Sequence, residues 1–234
     1  MKISIIIPTY NEVDIIGSNI DYIKSAPGNA VCDIIVADGG STDGTQAVAA
    51  KHGAIVVESP IKGRAGQMNH GVQYANGDIL YFVHADSKPP LSFQHDIEDA
   101  INKGFDCGSY RFQFDKNRTL LKMNAFFTRF NFLFCRGGDQ TIFITTALFK
   151  KVGGFKNEML IMEDYDFLRR IRSAGKFKLV PKATIVSARK YDHNSWLTVQ
   201  KANYTVVKMY KRGCSQHDMI DAYKRLLNYR KNAF

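Results

Sequence analysis

Two carboxylates stand directly after apolar runs, where a buried strand would bring them to the surface of the protein. The run Asp78–Val83 leads into the tripeptide His84–Asp86, and the run Asp33–Ala37 leads into Asp38. An ionised carboxylate accepts hydrogen bonds, so Asp86 and Asp38 could each bind donor groups of a ligand. Sheets that are covered on both faces bind their ligands beyond the carboxyl ends of the strands. This edge is therefore the first candidate for a site.

The elements that must position these acids alternate through the first half of the chain. Strands are predicted at Ile3–Ile7, Asp33–Asp38, Ala54–Glu58 and Asp78–Asp86. Segments with a helical spacing of apolar residues separate the strands, and the connections between them are short. This order is typical of a right-handed parallel α/β sheet. We therefore expect one large α/β domain.

The second half of the chain has a mixed pattern without a repeat. Its predicted elements are a helix after Pro90, strands at Cys107–Asp115 and Thr141–Ile144, a helix at Phe167–Ala174, short strands at 177–180 and 183–187, and helices at 194–212 and 215–229. The acidic residues just before Phe167 would lie near the start of their helix. The last two helices are expected to extend the α/β domain.

Aromatic side chains cluster in the segment Thr119–Phe134. The segment contains five phenylalanines beside Lys122 and Arg129. Core packing would explain the aromatic residues, and an interfacial helix that contacts a membrane or an apolar acceptor is the alternative. For Trp196, the single tryptophan, docking of the C-terminal helices and stacking on a sugar both stay open.

The composition allows a large core and excludes several classes of protein. The chain has 234 residues, of which 45% are hydrophobic, and Lys plus Arg number 32 against 22 Asp plus Glu. The net charge of +10 predicts attraction to polyanions, acidic membrane surfaces or phosphorylated substrates. Zinc-finger spacing, an RNP-like strand and a basic heptad region are all absent, so we expect no nucleic acid partner.

The cysteines and the amino terminus predict a cytoplasmic protein. Neither CxxC pairing nor metal-binding spacing occurs among the four cysteines, which is typical of reduced thiols. They are Cys32, Cys107, Cys135 and Cys214. The first apolar run is too short for a signal sequence, since Pro8 ends it. No segment reaches the roughly 20 apolar residues of a membrane span.

Five motifs together resemble a family 2 glycosyltransferase of the GT-A fold. They are Ile-Pro-Thr-Tyr-Asn-Glu at 7–12, Ala-Asp-Gly-Gly-Ser-Thr-Asp-Gly-Thr at 37–45, Gly-Arg-Ala-Gly-Gln-Met-Asn at 63–69, His-Ala-Asp at 84–86 and Met-Glu-Asp at 162–164. The resemblance covers about residues 1–190. With Gly-Asp-Gln at 138–140, the motifs are also similar to small bacterial transferases often labelled radical-SAM or selenodomain-associated.

This resemblance implies a single Rossmann-like α/β domain of the GT-A type. Its central sheet would be mixed, mostly parallel and flanked by helices. The domain would cover residues 1–190, with a nucleotide-binding half at 1–90 and an acceptor half at 91–190. Residues 191–234 would form a C-terminal helical extension.

The resemblance further implies that residues at the strand ends hold a nucleoside diphosphate sugar. The implied nucleotide-binding residues are Pro8, Thr9, Tyr10, Glu12, Asp38, Arg64 and Ala85. Arg64 could donate charge-assisted hydrogen bonds to the diphosphate, and a solvated surface charge is the alternative. Thr9 and Glu12 also fit a T-x-x-E capping box, so helix capping and ligand contact both stay open.

A divalent cation, Mn²⁺ or Mg²⁺, is implied as a bridge between the two phosphates of the donor. Asp86 resembles the last acid of the family's metal-binding D-x-D pattern and is the predicted metal ligand. His84 replaces the first acid, which departs from the family. Imidazole suits Mn²⁺ better than Mg²⁺. Direct metal binding by His84 and a role in capping the strand both stay open.

The acidic pair Glu163 and Asp164 resembles the catalytic pair of the family, in which one acid is the general base of inverting transfer. Asp164 is the predicted base, and a structural role at the helix N-terminus is the alternative. Gly138, Asp139 and Gln140 resemble the loop that lines the donor sugar and the acceptor, with a simple turn as the alternative.

These implications together predict a metal-dependent inverting glycosyltransferase that acts on an acceptor hydroxyl. UDP is favoured as the nucleotide, and GDP stays open. The acceptor is unknown, and a lipid-linked acceptor with peripheral attachment at the inner face of the cell membrane stays open because of the basic charge and the aromatic segment.

Two other functions remain as alternatives. A nucleotidyltransferase would favour a glycine-rich loop after the first strand, where this chain has Pro8-Thr9-Tyr10 instead. A catalytically silent nucleotide-sugar binding module is suggested by His84, although the retained Glu163 and Asp164 argue against it.

Overall fold

An eight-stranded mixed sheet organises residues 1–133 and 140–227, which are the residues that the computed structural model describes. Its strands are β1 Ile3–Thr9, β2 Val31–Asp38, β3 Ile55–Glu58, β4 Ile79–Phe82, β5 Ser87–Lys88, β6 Cys107–Phe114, β7 Ile142–Thr145 and β8 Phe177–Val186. They lie in the order β3-β2-β1-β4-β7-β6-β8-β5. The neighbours from β3 to β4 run parallel, as do β6 and β8, whereas β7 runs antiparallel to β4 and β6. This is the mostly parallel sheet that the sequence predicts.

Helices cover both faces of the sheet. They are α1 Val13–Lys24, α2 Thr45–Lys51, α3 Arg64–Val72, α4 Phe93–Asn102, α5 Thr119–Phe127, α6 Thr146–Lys151, α7 Glu163–Ala174, α8 Trp196–Lys211 and α9 Gln216–Leu226. Within the described ranges, none of these helices combines the length and the apolar character needed to cross a membrane.

Two hydrophobic cores lie on opposite sides of β1, which explains why its residues are apolar at nearly every position. Ile5 and Ile7 pack with Ile16 and Ile20 of α1 in one core. Ile6 packs in the other core, with residues of α3 and α7. Successive side chains of a strand point to opposite faces, so a strand covered on both faces needs apolar residues throughout.

The structure differs from the predicted elements at three places near the candidate site. Strand β4 ends at Phe82, so Asp86 lies in a turn between β4 and β5 rather than at the end of a long strand. Helix α7 begins at Glu163, earlier than predicted, because the acidic residues occupy its first turn. Strand β8 is continuous, and the two extra residues at its register shift include Pro181. Proline has no amide donor and is tolerated at such bulges.

Gln67 of α3 joins the carboxyl ends of β1 and β2. Its side-chain amide is buried and donates hydrogen bonds to the carbonyl oxygens of Thr9 at 2.6 Å and Ala37 at 2.9 Å. The backbone of Gly39 passes so close that a Cβ atom there would lie 2.9 Å from Gln67 Nε2. The contacts of Gln67 therefore fix the start of α3 at the edge where the strands end.

Replacement of Gln67 by methionine should destabilise the protein without a large change in side-chain volume. Loss of the amide leaves buried carbonyl groups with fewer donors, and we expect the free energy of unfolding to fall by about 1–3 kcal/mol. Urea denaturation measures this change. Gln73→Met alters an exposed glutamine just after the same helix and should shift the free energy by no more than about 0.5 kcal/mol. Equal effects of the two substitutions would contradict the role given to Gln67.

Candidate active site

The carboxyl ends of the parallel strands and the start of β7 form one edge of the sheet. Thr9 and Asp38 end β1 and β2, and the segment His84–Asp86 follows β4. Ile142, the first residue of the antiparallel strand β7, pairs with Phe82, which brings the buried Gln140 to the same edge. The predicted residues Gly138 and Asp139 lie outside the described residues.

Asp38 is buried and accepts hydrogen bonds from the loop that follows it. Its Oδ2 accepts from the amides of Gly40 at 2.9 Å and Ser41 at 2.7 Å and from Gln46 Nε2 at 2.8 Å. Its Oδ1 accepts from the hydroxyl groups of Ser41 at 2.5 Å and Thr9 at 3.1 Å. Burial raises the pKa of Asp38, but these hydrogen bonds outweigh burial and hold the pKa below its usual range. Asp38 is therefore ionised and orders the loop.

The capping box predicted for Thr9 and Glu12 is not what the structure contains. Glu12 is the N-cap residue of α1, without a side-chain capping bond, and the Thr9 hydroxyl donates to Asp38 instead. Asp43 Oδ2 accepts from the first amide of the helix, Val13 N, at 3.1 Å. Because the Glu12 carboxylate does not cap α1, it makes a contact across the site instead, with Arg189.

Among the other residues predicted to hold the nucleotide, Pro8 and Ala85 are buried at the sheet edge, whereas Tyr10 is 37% exposed. The backbone of His84 and Ala85 is held by Asn19 of α1, whose Nδ2 donates to their carbonyl oxygens at 3.4 and 3.0 Å. Tyr10, just after β1, therefore exposes part of its side chain to solvent.

Arg189 connects Glu12 with Asp86, and the sequence did not identify it. Its Nη1 and Nη2 donate to the two Glu12 oxygens, each at 2.9 Å, and Nη2 also donates to Asp86 Oδ2 at 2.9 Å. The residue begins a single 3₁₀ turn, Arg189–Asp192, after β8. Only the pairing of β5 with β8 brings this turn beside Asp86, so no local motif could have revealed the contact.

The surroundings of Asp86 fit a divalent cation only together with a phosphorylated ligand. Its side chain is 28% exposed, and the described residues contain no cluster of three or more histidine, cysteine or acidic side chains that could hold a metal ion. Mg²⁺ is commonly held by one or two carboxylates and completed by water and substrate phosphates. Asp86 could supply such a carboxylate, whereas a metal site built from protein ligands alone is not present among the described residues.

The acidic pair occupies the first turn of α7 and is buried, with Glu163 2% and Asp164 4% exposed. Arg64 Nη2 lies 2.6 Å from Glu163 Oε1, and Arg64 Nη1 lies 3.9 Å from Asp164 Oδ2. The geometry of the shorter contact is that of an ion pair rather than an aligned hydrogen bond, because the Glu163 oxygens have no hydrogen-bond partner among the described residues. Since Arg64 begins α3, it ties the acidic pair to the edge that Gln67 fixes.

The C-terminal helices support the segment before the acidic pair. Gln216 Oε1 of α9 accepts from the amides of Leu160 at 3.0 Å and Ile161 at 3.1 Å. Met162 follows with a φ of 66°, a left-handed conformation that is unusual for a residue with a side chain. Strained backbone of this kind persists only where its surroundings hold it. Gln216 is a second residue that the sequence gave no signal for.

Asp166, one turn into α7, is the anchor of this region. Its carboxylate accepts from Arg170 Nε at 2.7 Å and from the Tyr210 hydroxyl of α8 at 3.0 Å. Burial raises the pKa of Asp166, but the hydrogen bonds from Arg170 and Tyr210 outweigh it and lower the pKa below its usual range. The ionised form of Asp166 therefore joins α7 to α8.

Replacement of Asp166 by asparagine should change how stability depends on pH. A lowered folded-state pKa means that the contribution of Asp166 is complete above the unfolded value, about 3.9, and is lost as the pH falls through the folded value. We expect Asp166→Asn to cost about 1–3 kcal/mol at pH 7 and progressively less below pH 4. Urea midpoints between pH 3 and 7 measure the difference. Asp221→Asn, an exposed substitution on α9, is the control and should show the same pH dependence of stability as the wild type. If Asp166→Asn lowers the free energy of unfolding by the same amount at every pH, the ionised form of Asp166 is not the source of its contribution.

Solved structures of other proteins share this fold, among them a mannosyltransferase and S. aureus TarS. The mannosyltransferase PcManGT from Pyrobaculum calidifontis, in complex with GDP-Man and Mn²⁺, matches with a TM-score of 0.70 and 19% identity, over 96% of this chain and 69% of that chain. S. aureus TarS 1-349 in complex with UDP-GlcNAc matches with a TM-score of 0.67 and 19% identity, over 97% of this chain and 72% of that chain. These likenesses confirm the predicted α/β fold of the GT-A type.

Sequence relatives agree with the structural likeness. The glycosyltransferase AglE of Haloferax volcanii is 24% identical over 188 residues, which is 74% of this chain and 62% of AglE, so the chain spans less than two thirds of that relative. The family model described as Glycosyl transferase family 2 matches residues 4–152, which is more than half of the chain. As its motifs predict, the chain belongs to glycosyl transferase family 2.

Proposed function

We propose that the protein transfers a sugar from a nucleoside diphosphate donor to an acceptor hydroxyl, with inversion at the anomeric carbon. The observation that carries this proposal is the presence of two acidic groups at one edge of the sheet. Asp86 follows β4 there, and the pair Glu163 and Asp164 reaches the same edge through its contact with Arg64. One acid would face the donor diphosphate, and the other would face the acceptor.

The donor would bind along the ends of β1, β2 and β4. The complexes of PcManGT with GDP-Man and of TarS with UDP-GlcNAc support a nucleotide sugar as donor. The family resemblance favours UDP, and GDP stays open. Pro8, Thr9, Tyr10, Glu12 and Asp38 would surround the nucleoside, with Ala85 beside it. Arg64, whose side chain is 39% exposed, would turn toward the diphosphate while its helix stays fixed.

Asp164 would act as the general base of a single displacement. Its carboxylate takes the proton of the acceptor hydroxyl, the oxygen forms a bond to the anomeric carbon, and the bond from that carbon to the diphosphate breaks. The nucleoside diphosphate leaves with the electron pair. A divalent cation, Mn²⁺ or Mg²⁺, when held at Asp86, would neutralise the charge that develops on the diphosphate. Before the donor binds, Glu163 would hold Arg64 beside the base. Gln140 would line the sugar together with Gly138 and Asp139.

Substitutions of Asp164 and Asp86 should separate chemistry from binding. We expect Asp164→Asn to lower the rate of donor hydrolysis or transfer by about 10²–10⁴-fold, with nucleotide affinity nearly unchanged. A screen of nucleoside diphosphate sugars for slow hydrolysis, with and without Mn²⁺, measures this rate.

Asp86→Ala should weaken UDP binding in the presence of Mn²⁺ by about tenfold or more, because the cation loses its carboxylate. Calorimetry with UDP or GDP measures this affinity.

The same screen discriminates between the proposed enzyme and a nucleotide-sugar binding module. Asp221→Asn is the matched control and should behave as the wild type, because its side chain is exposed on α9. Full activity of Asp164→Asn would refute the base assignment. Nucleotide binding without hydrolysis of any donor, and without transfer to any tested hydroxyl, would favour the binding module.

The acceptor side of the proposal depends on the aromatic segment, which is largely exposed. Leu121 is the buried residue of α5, so core packing does not account for the remaining apolar side chains. Those between 40% and 59% exposed are Leu120, Met123, Phe126, Phe127, Phe130 and Phe132. Leu120, Met123 and Phe127 are three or four residues apart and therefore share one side of the helix. Exposed apolar patches of this kind mark interaction sites.

Cations lie in the same segment as this patch. Residues 116–133 contain Lys116, Arg118, Lys122 and Arg129 and no acidic residue, and Lys116 and Arg118 pair with Asp192 at 2.6 and 3.3 Å. The Arg129 guanidinium lies 3.7 Å from the centre of the Phe126 ring. Apolar rings flanked by cations fit the interface of an anionic membrane. A lipid-linked acceptor at the inner face of the cell membrane would then reach the site from this side.

Trp196, the first residue of α8, contacts α5. Its Nε1 donates to Asn124 Oδ1 at 3.2 Å, which supports the docking role of Trp196.

Loss of the apolar patch should weaken binding to anionic vesicles. We expect Met123→Ser with Phe127→Ser to reduce binding to phosphatidylglycerol-containing vesicles about tenfold or more, since each buried apolar side chain contributes about 1.5–3 kcal/mol. Co-sedimentation measures the bound fraction. Tyr74→Ser, which removes a 46% exposed aromatic residue just after α3, serves as the control. The membrane assignment fails if the wild type does not bind these vesicles, or if the control loses as much binding.

A further inference from the structure

One guanidinium group bridges two carboxylates that belong to different loops of the candidate site. Arg189 Nη2 lies 2.9 Å from both Glu12 Oε1 and Asp86 Oδ2, while Nη1 completes a forked pair with Glu12. Arginine is suited to this geometry because its guanidinium presents parallel donors in one plane. The carboxylate predicted to hold a divalent cation is therefore already paired with a cation of the protein itself.

The backbone of Arg189 is fixed, whereas its side chain is partly exposed. The preceding residue, Ala188, is fully buried and donates its amide to Asp115 Oδ1 at 2.8 Å. Pairing of Ser87 with Val186 holds the two segments side by side. The Arg189 side chain is 31% exposed, so its guanidinium can change partners without movement of the fold.

Electrostatics predicts that the guanidinium and a divalent cation compete at Asp86. A metal ion that binds Asp86 either displaces Arg189 from Oδ2 or lies within a few ångströms of a positive charge, and both are unfavourable. The described residues contain no group of three or more histidine, cysteine or acidic side chains that would offset this cost. A diphosphate brings the negative charge that both cations need, since it can accept hydrogen bonds from arginine and bind the metal at once.

We propose that Arg189 makes divalent-cation binding at Asp86 depend on the nucleotide. Without nucleotide, the guanidinium occupies Asp86 and the metal ion binds weakly. With a nucleoside diphosphate, Arg189 keeps Glu12 and turns from Asp86 to a phosphate oxygen, which frees the Asp86 carboxylate for the metal ion. This inference rests on the proposed function, because it takes the nucleoside diphosphate as the ligand of the site.

The test measures Mn²⁺ affinity by electron paramagnetic resonance, without turnover and without an acceptor. For the wild type, UDP should tighten Mn²⁺ binding about tenfold or more, within the usual range of coupling between two ligands. Arg189→Gln should bind Mn²⁺ alone about tenfold more tightly than the wild type, with a correspondingly smaller effect of UDP. Asp86→Asn added to Arg189→Gln should abolish the gain in Mn²⁺ affinity, since the metal ion would lose its carboxylate ligand.

A matched control separates this effect from the loss of one positive charge. Lys103→Gln removes a cation that pairs with Asp99 at 2.8 Å on the surface of α4, and its Mn²⁺ affinity should equal that of the wild type. A purely structural role of Arg189 predicts unchanged or weaker Mn²⁺ binding in Arg189→Gln, and that result would overturn the proposal. If Arg189→Gln does not fold, Arg189→Lys replaces it, because a single ammonium lacks the forked geometry and should give a smaller gain of the same sign.

Failure of this inference is distinguishable from failure of the proposed function. If neither UDP nor GDP binds to any variant, the nucleotide assignment fails, whatever the metal affinities are. If nucleotide binds and the wild type holds Mn²⁺ equally well with and without UDP, the role given to Arg189 fails while the donor assignment stands.

Discussion

Burial of the parallel strands on both faces is the constraint on which the rest of this structure depends. Strands such as β1 are apolar at nearly every position because helices cover them from both sides. Polar side chains are therefore excluded from the middle of the sheet and collect where the strands end. Asp38 and Asp86 lie in this position, and the segment from Gly39 to Gln46 is ordered around the first of them.

The acids gathered at this edge are stabilised by hydrogen bonds or ion pairs. Asp38 accepts hydrogen bonds mainly from the loop that follows it, whereas Glu163 pairs with Arg64 and Asp86 pairs with Arg189, which are distant in the chain. A buried or half-buried carboxylate without such a partner would be costly. Under the proposed function, each arginine would also donate hydrogen bonds to the diphosphate. Stability without ligand and affinity for ligand would then depend on the same side chains.

The sequence was sufficient for the parts of the molecule that depend on local pattern. The first four strands, the helices between them and the position of Asp38 follow from apolar runs and the turns that end them, whereas Asp86 lies in a turn beyond the end of β4. Arg189 and Gln216 could not be found in this way, because their partners are 103 and about 55 residues away in the chain. The continuous strand β8 was predicted as two strands because Pro181 interrupts its pattern, although the partner strand accommodates the interruption as a bulge.

The support that Gln216 gives to Leu160 and Ile161 has a consequence for the order of events during synthesis. The left-handed turn at Met162 and the acids after it are made long before α9, which packs against them in the cluster of Ile161, Met219 and Ile220. A nascent chain that has only reached β8 already contains every acid of the site but lacks the amide acceptor that α9 provides. The candidate site would thus be complete only after α9 has left the ribosome.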